Sequence, residues 1–170
     1  MRKILFVIAL LLPIVHLNAQ KEDNIWVFGY DSNTYPENPG TDRFLFTFGD
    51  SLKITYNPGG MELSDSYASI CDSSGNLLLL SNGCYIETGM GGYVENSYGL
   101  NPGYLGTVSC YEDSTGFNSN NSMVMLPDPV NKSQFHLFHI NHELTPETAF
   151  WADMLHTSVD ISGNAGEGTT

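Results

Sequence analysis

Four consecutive leucines, Leu77–Leu80, follow the turn-forming stretch Asp72-Ser73-Ser74-Gly75-Asn76, which in turn follows the apolar run Tyr67–Cys71. Successive side chains of a strand point to opposite faces of the sheet, so an unbroken leucine run is stable only where both faces are covered. An edge strand or a one-faced sheet has no use for it. The intervening turn brings the two runs antiparallel, and Gly75 or Asn76 can take the positive φ that closes it. The first expectation is therefore a hairpin at the centre of a packed β structure.

The rest of the chain extends this pattern. Helical periodicity is nearly absent, and short β-branched, aromatic and aliphatic runs recur between clusters of Gly, Asn, Asp, Ser and Pro. Ile25–Tyr30 reads as a strand with Trp26 in the core. Phe44–Phe48 and Leu52–Tyr56 read as a hairpin about Gly49-Asp50-Ser51, after a turn-rich loop from Asp31 to Asp42. Met123–Pro127 and Phe135–Asn141 form a further hairpin around Asp128-Pro129-Val130-Asn131-Lys132. Met154–Ile161 alternates cleanly, with Leu155, Thr157, Val159 and Ile161 on one face and Met154, His156, Ser158 and Asp160 on the other. Thr145-Pro146-Glu147 suits one capped helical turn before it. Residues 88–122, rich in Gly, Asn, Ser and Tyr, read as a long excursion over the surface. The fold class expected is all-β, with antiparallel hairpins arranged as a sandwich or a propeller.

The N-terminus carries a targeting signal. Arg2 and Lys3 precede a twelve-residue apolar run, Ile4–Val15, broken only by Pro13, and Leu17-Asn18-Ala19 offers a cleavage site. This is the plan of a secretory signal peptide over residues 1–19. A membrane helix needs about 20 apolar residues, and this run is too short, so no span is expected in the mature chain. With no cysteine at the cleavage point, a lipid anchor is not expected either, and the product belongs in the periplasm, at the cell surface or outside the cell.

Nineteen acidic residues against six basic ones give a net charge of -13, which becomes -15 once Arg2 and Lys3 leave with the signal. A polyanion is repelled by such a surface, which excludes nucleic acid as a partner. Export permits disulfides, and of three cysteines at most two can pair internally. Three pairings are open. The central hairpin places Cys71 opposite about Leu77, out of reach of Cys84, and the pairing favoured is Cys84 with Cys110. Zinc is not expected, because no two cysteines are spaced as C-x-x-C.

The runs NIWVFGY (24–30), SYASICDSSGNLLLLSNGCYI (66–86), GLNPG (99–103), SMVMLPDPVNKSQFHLFHIN (122–141) and MLHTSVDISGNAGEG (154–168) together resemble a family of secreted Bacteroidetes proteins. The resemblance implies a WD-repeat-like β-propeller as the opening region, commonly followed by a C-terminal sorting domain for type IX secretion. It implies that residues 20–170 are the N-terminal part of a propeller, about two blades of an incomplete ring. A structural or binding role at the cell exterior follows, with an extracellular protein or glycan as partner and no enzymatic activity.

Other motifs admit chemistry. Phe48-Gly49-Asp50-Ser51-Leu52 matches the opening block of the GDSL esterases and lipases, and Asp153-Met154-Leu155-His156 matches their D-x-x-H. In that alternative Ser51 attacks an ester carbonyl, His156 takes its proton and Asp153 orients the imidazole. Against it, Ser51 precedes a strand rather than a helix, the Gly-x-Asn-Asp block is missing, and alternation puts Asp153 and His156 on opposite faces. His136, His139 and His142 invite a metal, but residues three apart on a strand cannot converge without a bend. Asp72-Ser73-Ser74-Gly75-Asn76 suggests a calcium loop without the spacing or the distant glutamate that calcium needs. The tyrosines suggest a glycan-binding module, with Trp151, Tyr93, Tyr98 and Tyr104 as exposed candidates. No Walker loop, dinucleotide fingerprint or H-E-x-x-H is present, and no cofactor is implied.

Overall fold

The computed structural model describes residues 21–29, 43–57, 60–63, 66–112, 116–117, 119–144 and 150–162, with the side chains of residues 143, 144, 150 and 151 outside the description. The signal segment, the loop from Asp31 to Asp42 and Thr145-Pro146-Glu147 lie outside the described residues. The protein is all-β and built from hairpins. Among the described residues nine strands make three antiparallel meanders of three, each in sequential order. Sheet 1 holds β1 (Ile25–Gly29), β2 (Arg43–Thr47) and β3 (Lys53–Tyr56). Sheet 2 holds β4 (Ala68–Cys71), β5 (Leu77–Ser81) and β6 (Ile86–Thr88), and sheet 3 holds β7 (Met123–Pro127), β8 (Gln134–Leu144) and β9 (Phe150–Asp160). The strands thus group as three threes, and among the described residues no sheet closes on itself.

The leucine run explains how the sheets stack. Cys71 pairs with Leu77 and Ile70 with Leu79, so Leu78 is an extra residue in a β-bulge. The bulge divides the four leucines two and two. Leu78 and Leu79 join a core with Ala68, Ile70 and Ile86 of sheet 2 and with Met125, Phe135, Leu137 and Val159 of sheet 3. Leu77 and Leu80 join Val27 and Leu45 of sheet 1, together with Met61 and Leu63 from the segment before β4. Sheet 2 is therefore a middle layer covered on both faces. The turn that feeds it closes at Gly75, whose φ of +90° is strained for any residue with a Cβ.

Adjacent sheets meet through their first strands. β1 touches β4, and β4 touches β7. The Cys71 N–H donates to the Glu22 carbonyl at 2.8 Å, and the Ser122 N–H donates to Ser66 Oγ at 3.0 Å, fastening the successive first strands near their ends. A cleft of about 330 Å³ opens along this seam, lined by Ile25 and Trp26 of β1, Ser69 and Ile70 of β4, and Met125 and Leu126 of β7.

One buried ion pair crosses from sheet 1 to sheet 2. Arg43 Nη1 lies 3.1 Å from Glu87 Oε1, with both side chains almost fully buried. The remaining donors and acceptors are used: Arg43 Nε and Nη2 donate to Asn57 Oδ1 at 3.0 and 2.7 Å, and Glu87 Oε2 accepts the Met61 N–H at 2.7 Å. Gly60 seals the pair, since a Cβ there would stand 2.8 Å from Glu87 Oε1 and 2.9 Å from Arg43 Nη2.

The excursion after β6 is anchored to the body rather than laid over it. Val94, Leu100 and Phe117 are buried, and a short helix α1 (Tyr104–Thr107) continues into a π-helical turn at Val108–Glu112. Asn141 Nδ2 of β8 donates to the Pro102 carbonyl at 3.1 Å. Among the described residues no helix is long and apolar enough to cross a membrane.

Glu87→Ala leaves a buried guanidinium without its partner and is expected to cost about 3–5 kcal/mol, read as a lower midpoint in urea unfolding. The double variant Arg43→Met/Glu87→Met should recover most of that loss, because well-packed apolar side chains replace a buried pair at little net cost. A parental midpoint for Glu87→Ala would show that the pair does not hold sheet 1 to sheet 2.

Candidate functional site

Sheet 3 has one buried and one open face, and its histidines divide between them. On β8, Phe135, Leu137, His139 and Asn141 point inward, so His136 and His142 belong to the opposite face. The three histidines do not converge, in keeping with their three-residue spacing. His139 is fully buried with both ring nitrogens engaged: Nδ1 lies 2.9 Å from Asn101 Oδ1 and Nε2 lies 3.1 Å from Thr157 Oγ1. Asn101 Nδ2 itself donates to the Gly83 carbonyl, so its Oδ1 is the group turned to the ring and accepts from Nδ1–H, leaving Nε2 to accept from the threonine hydroxyl. Burial, and then the neighbouring His156, hold the His139 pKa down to about 4. This is a neutral structural histidine.

The open face carries a polar chain that one-strand reasoning could not find. β9 pairs with β8 so that His136 faces Ser158 and Phe138 faces His156. His136 and His156 are then diagonal neighbours, and their rings reach each other, with His136 Nδ1 3.0 Å from His156 Nε2. Ser158 Oγ lies 3.4 Å from the same His136 Nδ1. On the far side of the ring, His136 Nε2 meets Asp128 Oδ2 at 2.9 Å. The turn after β7 fixes that carboxylate, because Asp128 Oδ1 accepts the N–H groups of Val130 and Asn131 at 2.8 and 2.6 Å. The Asn131 N–H, the His136 ring and the Val130 N–H hold the Asp128 carboxyl down to about 2. An ionised carboxylate only accepts, so His136 donates to it from Nε2–H, and its Nδ1 faces His156 Nε2. The His156 ring stacks on Phe138 with centroids 4.9 Å apart.

The esterase residues are not assembled. Ser51 lies exposed in the turn between β2 and β3 of sheet 1, whereas Asp153 and His156 lie on β9 of sheet 3, with sheet 2 between the two. Among the described residues no hydrogen bond joins Ser51 to His156, whose ring nitrogen instead meets His136. Asp153 and His156 are three residues apart on one strand and have opposite facing. The chain Asp128–His136–Ser158 has the residue types of a hydrolase triad, yet its serine contact is the longest in the cluster and His156 stands closer to the same nitrogen.

The cysteines, the calcium-like loop and the aromatic residues each have a definite place. Cys84 and Cys110 form a disulfide that ties the turn after β5 to the π-helical turn. Cys71 is a buried free thiol; burial raises its pKa, and its Sγ accepts the Ile25 N–H at 3.3 Å. The Asp72 carboxylate is engaged within its own turn, where Oδ1 accepts the Ser74 and Asn76 N–H groups and Oδ2 accepts Asn76 Nδ2. No group of three or more His, Cys, Asp or Glu among the described residues is disposed to hold a metal ion. Tyr93 and Tyr98 are exposed and pack with Tyr85 into a three-ring cluster with centroids 5.1–5.5 Å apart, and Tyr104 is exposed. The Trp151 side chain lies outside the description.

Trp26 corrects the expectation of a core residue. It is 52% exposed, because Val27 is the β1 side chain that enters the core. Both parities of IWVF are apolar, so alternation alone cannot choose between them. The other parity forms a continuous outer face on sheet 1: Trp26 pairs with Phe46, Phe28 with Phe44, Phe46 with Ile54 and Phe44 with Tyr56. Phe48 adds an edge contact to Trp26 at 5.1 Å.

Because folded His139 resists protonation down to about 4 while the unfolded ring titrates near 6.5, the unfolded state binds more protons between these values. Stability is therefore expected to fall as pH drops from 6.5 towards 4, through this residue alone. Thermal midpoints measured across that window should decline more steeply in the parent chain than in His139→Gln, and equal slopes would refute the assignment. In comparison with known proteins, the chain matches no family model, no curated protein and no solved structure.

Proposed function

We propose that the chain is an exported, non-enzymatic segment of β-propeller type with a structural or binding role at the cell exterior. The observation that carries the binding role is the outer face of sheet 1, where Trp26, Phe28, Phe44, Phe46, Phe48, Ile54 and Tyr56 form one contiguous apolar surface. Trp26, Phe28, Phe48, Ile54 and Tyr56 are each at least 40% exposed. Large open apolar patches of this kind mark contact surfaces in soluble proteins. The propeller reading is supported by sequential meanders that stack face to face and meet through their first strands along a common cleft. Export is supported by the signal-like residues 1–19 and by the Cys84–Cys110 disulfide, a bond that persists in oxidising compartments.

Two measurements test this reading. Residues 1–40 fused to alkaline phosphatase, an enzyme active only after export, should give phosphatase activity in bacterial cells, and removal of residues 1–19 should abolish it. Activity that survives the deletion would refute export by this segment. The purified chain should hydrolyse p-nitrophenyl acetate no faster than buffer. Turnover that disappears in Ser51→Ala would establish the esterase reading instead, and turnover lost in Ser158→Ala would assign hydrolysis to the cluster on sheet 3.

A further inference from the structure

The imidazole pair on the open face of sheet 3 has the geometry of a cation site that two strands share. We propose that His136 Nδ1 and His156 Nε2 together bind one late first-row divalent cation, copper(II) foremost, with solvent completing its coordination. Three lines of argument converge. The two ring nitrogens point at each other across 3.0 Å. Two cis nitrogens bonded at about 2.0–2.1 Å stand about 2.8–3.0 Å apart on a square-planar ion such as copper(II) and about 3.3–3.4 Å apart on a tetrahedral one, so a small rotation of the rings that turns both lone pairs to a common point admits the ion. The side chains lie on an open sheet face, where that movement meets no packed core, and His156 is exposed.

The second observation is the carboxylate behind the ring. A histidine that ligates a metal almost always donates its other N–H to a carboxylate or carbonyl, which fixes the tautomer and raises the basicity of the ligating nitrogen. Asp128 fills that place for His136 at 2.9 Å, and the turn amides of Val130 and Asn131 hold it there. The His136 lone pair is thus already directed to the site before an ion arrives. The third argument is tautomeric: in the neutral pair one proton lies between the facing nitrogens. His136 Nδ1 accepts, so His156 Nε2 donates; when the cation enters, that proton moves to Nδ1 of the exposed His156 ring and both facing nitrogens become ligands. Ser158 Oγ, 3.4 Å from His136 Nδ1, borders the same space and can hydrogen-bond a coordinated water.

The choice of ion follows from the donors. Imidazole suits copper, nickel and zinc, and affinity at a nitrogen site rises through nickel to copper and falls at zinc. Magnesium and calcium require oxygen ligands and are not accommodated. With two protein ligands the site is an open one, distinct from closed structural sites built on four. This inference goes beyond the proposed contact role of sheet 1 and rests on different residues.

The test is calorimetric titration of the full chain with copper(II) sulfate, repeated with zinc and calcium chlorides. One saturable copper equivalent is expected, with weaker zinc binding and no calcium binding. His136→Ala and His156→Ala should each weaken copper binding at least tenfold. Asp128→Asn, which removes no ligand, should weaken it about 10-fold to 100-fold. His142→Ala on the same face should leave it unchanged, and far-ultraviolet circular dichroism of each variant confirms that the sheets persist. Electron paramagnetic resonance of the copper complex should show nitrogen coupling in the parent that diminishes in either alanine variant. No saturable copper binding, or affinities in His136→Ala and His156→Ala equal to the parent's, overturns the proposal.

Discussion

Covering one short sheet on both faces is the constraint from which the rest of this structure follows. β5 has four leucines and no polar face to offer water, so it can exist only between two other layers. An uninterrupted strand would send Leu77 and Leu79 one way and Leu78 and Leu80 the other. The bulge at Leu78 changes that division, so that Leu78 and Leu79 are adjacent in sequence and share a core. Two separate cores result, and each contains residues from sheet 2 that the other does not use. Loss of either neighbouring sheet would expose leucine directly, which couples the stability of all three layers through the middle one.

The polar interior serves the same stacking. Arg43 and Glu87 approach each other across the interface of sheets 1 and 2, where apolar packing alone tolerates sliding. A guanidinium with three engaged nitrogens and a carboxylate with both oxygens engaged have far fewer acceptable placements. His139 and Asn101 do the equivalent for the excursion, linking it through side-chain hydrogen bonds to β8, β9 and the turn at Gly83. In both places a polar network sits where an irregular segment meets a sheet, and regular ladder hydrogen bonds cannot reach.

The sequence was most legible where one residue type repeats on a clear period. The leucine run, the turn at Gly75 and the alternation of Leu155, Thr157 and Val159 led directly to elements that the structure contains, including Cys71 opposite Leu77. Trp26 was misread because its strand is apolar on both parities, and only the packing of Val27 against sheet 2 decides which parity is inside. The helix at Tyr104–Thr107 gave no periodic signal, being four residues long with a buried Gly106 that has no room for a Cβ beside the Asn101 carbonyl. The imidazole pair was invisible for a different reason. His136 and His156 are twenty residues apart, and their meeting depends on the register between β8 and β9, which no local pattern encodes.

The third cysteine gives the fold a kinetic property. Three thiols in an oxidising compartment can exchange partners for as long as each sulfur is reachable, because exchange proceeds by attack of a thiolate on an existing bond. Here the odd thiol lies under β1, with its pKa raised by burial and its sulfur engaged by the Ile25 amide. Docking of sheet 1 on sheet 2 therefore withdraws the chain's own third thiol from exchange with Cys84 and Cys110. Layer assembly and covalent fidelity are thereby linked: the contact that seats the first sheet is also the contact that covers the spare thiol.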